Sequence, residues 1–342
     1  MTTTTTRLLT TCAAAALALG LAACGGTSTP STSAAPASSA AAAAPTDSED
    51  ESATADEADE TASAGAKVSA NTASEEEIAA ALEAGELVAH FQPIVSIDSG
   101  EVVAAEALAR WQHPRLGLIG PSEFVPIAEQ TGLITPLTSY VLDAALRQVR
   151  EWRDRGEELS VAVNLSARSF LDAQLAVEIP RLLEKWGVEA NRLELEITES
   201  MLMLDPGRAQ ATLERLSRIG LTLSVDDFGT GYSSLANLKR LPVDCIKIDK
   251  SFVMDMAIDA SDAAIVRSTI DLAHNLGLRV VAEGVESHQA WSRLRELGCD
   301  LAQGFYVSRP LPAPDLSRLL DERSAEIEAM PKAPRALRVV AG

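Results

Sequence analysis

The chain has 342 residues, 46% of them hydrophobic, and a formal net charge of -20. That length and apolar content allow one large domain or two small ones with a substantial core, which excludes a disordered protein. The charge excludes a surface that grips DNA or RNA, because phosphate backbones need clustered Lys and Arg; a phosphate ligand would need cations from elsewhere, such as bound metal.

Residues 1–24 read as an export signal. Arg7 supplies a small positive start, Leu8 to Ala22 is a short Ala/Leu-rich run, and the run is too short and too Ala-rich for a membrane span. Leu21-Ala22-Ala23-Cys24 followed by Gly25 resembles the bacterial lipobox, in which the signal is cut before the cysteine and the cysteine is lipidated. The expected location is the cell membrane, lipid-anchored through Cys24 and facing outward; a leader that does not export would leave the protein in the cytoplasm. Residues 25–74 turn to Ala, Ser, Thr and Pro, with an acidic block from Asp47 to Glu60 that holds no Lys or Arg. So little apolar bulk predicts a disordered tether.

Order is expected from residue 75. Ser74 before Glu75, Glu76 and Glu77 reads as an N-cap with acids in the first turn of a helix that ends near Gly85. Strand-like runs follow at Leu87 to Ile97, Val102 to Trp111, Ser160 to Ser166, Arg192 to Ser200, Leu221 to Asp227, Cys245 to Asp249, Arg279 to Glu286 and Leu301 to Ser308. Between most of them lie amphipathic helices: Thr138 to Gly156, Ser169 to Trp186, Asp205 to Ile219, Ala263 to Leu276 and Ser287 to Leu297. Strands alternating with helical crossovers predict an α/β fold, a (β/α)8 TIM-type barrel over residues 75–325. Asp98-Ser99-Gly100-Glu101 is too short for a helical crossover, so one early strand should be antiparallel. Residues 326–342, with Pro331 and Pro334, read as a loose tail. Cys12, Cys24, Cys245 and Cys299 include no C-x-x-C pair and no zinc spacing with histidine, and the last two read as buried thiols.

The strand ends carry the chemistry. Ser224 to Leu235 delivers Asp226 and Asp227 into a turn punctuated by Gly229 and Gly231. Successive strand side chains face opposite ways, so both acids serve one site only if the backbone bends there, which the Phe-Gly-Thr-Gly turn permits. An acidic turn that caps the next helix through Ser233 or Ser234 is the other reading. Other ends bring Glu106, Asn164, Glu196, Lys247 with Asp249, Glu283 and Gln303. In a barrel these ends converge on one face, where so many oxygen ligands would repel one another unless hard cations lay between them. His113, in Trp-Gln-His-Pro, reads as a turn residue that packs or hydrogen-bonds. Asp227-Phe228-Gly229 lacks the companion motifs of a kinase, and Gly229-Thr230-Gly231 lacks the third glycine of a dinucleotide site.

In this order, Glu106-Ala107-Leu108, Asn164-Leu165-Ser166, Glu196-Ile197-Thr198-Glu199, Asp226-Asp227-Phe228-Gly229-Thr230-Gly231-Tyr232, Lys247-Ile248-Asp249, Ala282-Glu283-Gly284-Val285-Glu286 and Gln303-Gly304-Phe305 resemble an EAL domain. This is the family of cyclic di-GMP phosphodiesterases, and the likeness covers roughly residues 80–320. The resemblance implies hydrolysis of cyclic di-GMP to the linear dinucleotide with water activated by two Mg²⁺ or Mn²⁺ ions. Glu106, Asn164, Glu196 and Asp226 would bind one ion, and Asp227 and Glu283, with Asp226 bridging, the second. Lys247 would orient the attacking water, with a structural ion pair to Asp249 as the alternative. Gln303 would support the water and metal shell. Arg110 would contact substrate phosphate unless it is a surface arginine beside Trp111. Glu199 would hold the Asp-Asp loop, or be an N-cap or surface acid. Gln92, in Phe91-Gln92-Pro93, would face substrate, or pack on an edge strand. A homodimer is implied as well. Two rival functions share the fold: a non-catalytic cyclic di-GMP receptor, and an exported interaction module, which arises because the messenger is cytosolic and the leader points outward.

Overall fold

The computed structural model describes residues 73–231 and 238–329. The signal, most of the tether, the helix start expected at Tyr232 and the last residues of the tail lie outside the described residues.

The chain begins with α1 (Glu75–Ala84), then β1 (Leu87–Ser96), β2 (Val102–His113) and a short β3 (Gly117–Ile119). Ser74 caps α1 in a capping box with Glu77, and Gly85 ends it in the left-handed region. Next come α2 (Pro121–Thr131), α3 (Ile134–Asp154), β4 (Ser160–Asn164), α4 (Ala167–Phe170), α5 (Leu175–Trp186), β5 (Leu193–Thr198), α6 (Glu199–Leu204), α7 (Pro206–Ser217) and β6 (Thr222–Phe228). The rest is β7 (Cys245–Ile248), α8 (Lys250–Val253), α9 (Ala260–Asn275), β8 (Arg279–Ala282), α10 (His288–Glu296), β9 (Leu301–Ala302), β10 (Leu311–Pro312) and α11 (Ala313–Ala329).

The sheet closes. Strands run β1-β2-β4-β5-β6-β7-β8-β9 and back to β1, an eight-stranded barrel, with β3 and β10 added outside the ring. β1 is antiparallel to both neighbours, and the other ring contacts are parallel. Two-residue periodicity then decides what fills the interior. A lower layer includes the apolar cluster Ile94, Ala104, Ala162, Cys245 and Val281, and along the parallel strands the next inward residue falls two positions further on, at the mouth. The outer face packs against the helices: Trp152 of α3 meets Phe91 edge to face at 5.2 Å, and Trp111 meets Phe124 of α2 at 6.1 Å. Cys245 and Cys299 are free and buried, as expected.

Three expectations need correction. The runs from Arg279 and Leu301 are strand only to Ala282 and Ala302. Gly284 has φ 64°, and a Cβ on Gly304 would fall 2.2 Å from the Val285 carbonyl oxygen, so two glycines turn both chains out of the sheet. His113 ends β2 rather than sitting in a turn; its hydrogen-bonding role stands, since Nδ1 accepts from the Arg115 and Leu116 amides. Helix α2, which carries Pro126 inside it, and helix α11 were not read from the periodicity.

Candidate active site

Seven parallel strands and the reversed β1 bring Gln92, Glu106, Asn164, Glu196, Asp226, Lys247, Glu283 and Gln303 to one end of the barrel. Lys247 is the centre. Only 1% of its side chain is exposed, and its ammonium lies 2.7 Å from Glu196 Oε1, 2.6 Å from Glu283 Oε1 and 3.6 Å from Asp226 Oδ1. Burial alone would pull its pKa down, yet Glu106, Glu196, Glu283 and Asp226 together hold it well above the usual lysine value, so it stays charged. The alternative partner, Asp249, is elsewhere: it caps α8 by accepting from the Ser251 amide.

Glu106 is buried beside them. Its Oε1 accepts from Asn164 Nδ2 and its Oε2 accepts from Gln303 Nε2 at 2.5 Å. Burial pushes its pKa up, but the Lys247 charge and the two amide donors win and leave it below the ordinary carboxylate value. Gln303 also donates to Gln92 Oε1 at 3.1 Å, and Gln92 Nε2 donates to the Ser308 carbonyl. Gln92 is therefore inside the barrel and not an edge-strand packing residue.

Asp226 and Asp227 share the mouth because β6 breaks its alternation. Asp227 has φ 53°, the one positive value among the described non-glycine residues, and the β6–β7 register shifts between Val225 and Phe228. The bend falls on Asp227 itself, two residues before the first of the glycines that sequence reasoning credited. Its consequence is that one oxygen each from Asp226, Asp227 and Glu283 lie within 4.8 Å of one another. Glu199 fixes this turn: it is buried, and its Oε2 accepts from the Gly229 amide at 3.0 Å. A Cβ on Gly231 would sit 2.7 Å from Glu199 Oε1, so a larger residue there would push the Glu199 carboxylate aside. Glu199 is neither a surface acid nor a cap.

Crowding raises the other acids. Burial lifts Glu196 well above the carboxylate range against the pull of Lys247. Burial lifts Glu283 to about 7, and burial with Asp226 and Asp249 lifts Asp227 to about 6. Both oxygens of Glu196, and Oε1 of Gln303, have no hydrogen-bond donor although they are buried; Lys247 approaches Glu196 as an ion pair outside hydrogen-bond angles. Buried acceptors without donors, acids strained toward protonation and an all-oxygen donor set are what a site for hard divalent cations presents when described without them. The residues present therefore fit such ions. Beside the mouth, Leu108, Pro121, Val125, Pro126, Ile134 and Asn164 line a mainly apolar cavity of about 370 Å³.

Arg110 lies at the outer end of β2, half-buried, and donates to the Ala109 carbonyl at 2.9 Å. It is not a free surface arginine, and burial lowers its pKa against the pull of Glu106. Sequence reasoning missed Glu194, a buried acid below the site whose pKa burial raises. The signal was present, because Glu194 is two residues before Glu196 and so shares its face.

A closed eight-stranded barrel with one reversed strand, its acidic residues and one buried ammonium gathered at a single end, defines the class of α/β barrel to which the chain belongs. The chain belongs to the EAL domain family, whose pattern matches residues 75–310. It is 47% identical over 236 residues to the bifunctional diguanylate cyclase/cyclic di-GMP phosphodiesterase MucR of Pseudomonas aeruginosa, covering 69% of this chain and 34% of that protein. It is 46% identical over 251 residues to the cyclic di-GMP phosphodiesterase NbdA of the same organism, covering 73% and 32%. The chain thus spans about a third of the length of these curated relatives. Among solved structures, a PaMucR phosphodiesterase–c-di-GMP complex superposes with a TM-score of 0.69 at 46% identity, covering 70% of this chain and 98% of that one.

Proposed function

We propose that the chain is a divalent-metal-dependent phosphodiesterase that hydrolyses cyclic di-GMP to the linear dinucleotide. The observation that carries this reading is the convergence of Glu106, Asn164, Glu196, Asp226, Asp227 and Glu283 around one buried ammonium. Glu106, Asn164, Glu196 and Asp226 would hold one Mg²⁺ or Mn²⁺, and Asp227, Glu283 and a shared Asp226 a second. Bound there, the ions supply positive charge to a phosphodiester oxygen and make a water molecule more acidic. Water oxygen bonds to phosphorus and gives up a proton, the bond from phosphorus to the 3′ oxygen breaks, that oxygen takes up a proton and leaves as the 3′ hydroxyl, and the product keeps a 5′ phosphate. Lys247 holds the water with its ammonium while keeping Glu196 and Glu283 in place. Gln303 positions Glu106 and leaves its own oxygen for the water. Gln92 and Arg110 meet the substrate, Arg110 through a phosphate. Glu199 holds the Asp226-Asp227 turn.

The purified chain with Mg²⁺ or Mn²⁺ should convert cyclic di-GMP to the linear form, read by chromatography, and Glu106→Ala should abolish conversion. Binding without turnover would instead make the protein a receptor on the same fold; neither binding nor turnover would leave an exported interaction module.

Two extensions belong to the same proposal. The protein is anchored through a lipid on Cys24, outside the cytoplasmic membrane, by a signal at residues 1–24 and a tether at 25–74. Metabolic labelling with a lipid precursor should mark the wild type and spare Cys24→Ala. The barrel pairs with a second copy, which sedimentation would read as a doubled mass.

A further inference from the structure

His90 is a titratable side chain at the mouth that the site described above does not use. Its place follows from strand register: on the antiparallel β1–β2 pair Gln92 lies opposite Glu106, His90 opposite Leu108 and Val88 opposite Arg110. Gln92 and Glu106 both meet Gln303 inside the barrel, and residues two apart on a strand share a face. His90 and Arg110 therefore continue the inward stripe toward the rim, as diagonal neighbours on adjacent strands. On its other side His90 pairs with Pro312 of β10, so the half-buried imidazole sits where β1, β2 and the β9–β10 connection meet.

The charges around it point to an anion. From β2, Arg110 faces His90; its guanidinium donates to the Ala109 carbonyl and has no carboxylate within ion-pair reach among the described residues, in a chain of net charge -20. From α11, Asp315 faces it too, but Asp315 Oδ1 is taken by Arg318. From the β9–β10 connection comes the Pro310 carbonyl, which accepts from the imidazole, while Arg309 is turned onto the Phe305 ring, 4.2 Å from its centroid. Burial and then Arg110 hold the His90 pKa below the ordinary histidine value against the pull of Pro310 and Asp315, so the imidazole of the free protein is neutral in neutral solution. A neutral imidazole has one N–H, and here the Pro310 carbonyl takes it; the second nitrogen becomes a donor only when a proton arrives. A phosphate between the two side chains would offset the Arg110 charge that opposes this proton, and would accept from both groups.

We propose that His90 joins Arg110 in holding one phosphate of the cyclic dinucleotide, the phosphate that is not at the metal positions. The imidazole takes up a proton from water as that phosphate arrives, so the contact is strongest in mildly acid solution. The inference rests on the phosphodiesterase reading and deepens it, because it adds a residue that recognises the second phosphodiester and so favours a cyclic dinucleotide over a simple diester.

The test uses the full chain as wild type, His90→Gln and His90→Asn, two variants that keep an uncharged amide donor and cannot titrate. Calorimetry in EDTA reads the affinity for cyclic di-GMP without turnover. From pH 8 to pH 5 the wild type should gain about tenfold more affinity than either variant, the change expected when binding lifts one pKa by about one unit. In two buffers of different ionisation enthalpy at pH 6, the wild type should take up more protons per nucleotide than the variants do. Steady-state assays with Mn²⁺ compare cyclic di-GMP with bis(4-nitrophenyl) phosphate, which has a single phosphate. At pH 6 the variants should raise KM for cyclic di-GMP several-fold, with kcat near wild type and no change on the nitrophenyl ester. The same pH dependence and proton uptake in all three proteins, or equal losses on the two substrates, would overturn the role of His90 and reduce it to a tie between β1 and the β9–β10 connection, while turnover by the wild type would leave the phosphodiesterase reading intact. A wild type that binds the nucleotide with the His90-dependent proton uptake but never turns it over would overturn the catalytic reading and leave the phosphate contact standing. A wild type that neither binds nor turns over would overturn both.

Discussion

At the residue scale the site is an argument about one ammonium. Removing one member of a buried ion cluster leaves the remaining charges without compensation, at a cost of roughly 3–5 kcal/mol. Lys247→Ala should therefore lower the metal-free unfolding free energy by about that amount, read by urea titration, because Glu196 and Glu283 lose contacts at 2.7 and 2.6 Å. Adding Mn²⁺ should return part of the stability, since the ion replaces the missing charge, but not the turnover. Asp227 separates backbone from chemistry. Asn tolerates φ near 53° about as well as Asp does, whereas a β-branched residue does not. Asp227→Asn should keep the melting temperature close to wild type and weaken Mn²⁺ binding at least tenfold by calorimetry. Asp227→Val should lose both.

At the scale of elements, the mouth is held by turns rather than by the strands alone. Glu199 opens α6 and reaches across to the Gly229 amide, so it acts on the ligands through the turn that carries them. Partners of this outer kind typically change metal affinity about 10–100-fold when removed. Glu199→Ala should therefore weaken Mn²⁺ binding within that range with a smaller change in melting temperature. Gly304→Ala should do the reverse. Its Cβ would meet the Val285 backbone at 2.2 to 2.6 Å, a clash no side-chain rotation relieves, and the expected cost is about 3 kcal/mol or more.

These turns also mark how far the sequence could be read. Glu106, Glu196, Asp226 and Lys247 were legible because strand periodicity and strand ends are local signals, and one rule about barrels gathers them. The fold was legible for the same reason, down to the reversed β1, which follows from a connection of a few residues. The bend at Asp227 was not, because nothing local distinguishes an aspartate that turns the chain from one that precedes a turn. Helix α2 was hidden by Pro121 and Pro126; the first is favourable at a helix start, and the second becomes tolerable only through tertiary packing of Phe124 and Ala128.

For the whole molecule, stability, pH and metal are one equilibrium. Glu283 at about 7 and Asp227 at about 6 hold protons in the native state that an unfolded chain, with carboxylates near 4, has already released. Wherever the native state binds more protons than the unfolded one, unfolding free energy falls as pH rises, here between about 4 and 7. Glu196 and Glu194, also raised by burial, add to the same slope. Glu106, which is lowered, contributes stability above the ordinary carboxylate value and loses it only in more acid solution; Lys247, raised well above its usual value, stays charged throughout. Divalent ions compete with these protons, so binding should release protons and strengthen with pH. Melting in EDTA and in saturating Mn²⁺ at pH 5, 6, 7 and 8 should show a gain from metal that grows across the series. Calorimetry in two buffers of different ionisation enthalpy at pH 6 should show proton release. A metal gain that stays flat from pH 5 to 8 would mean that Asp227 and Glu283 are not the groups the cation displaces protons from.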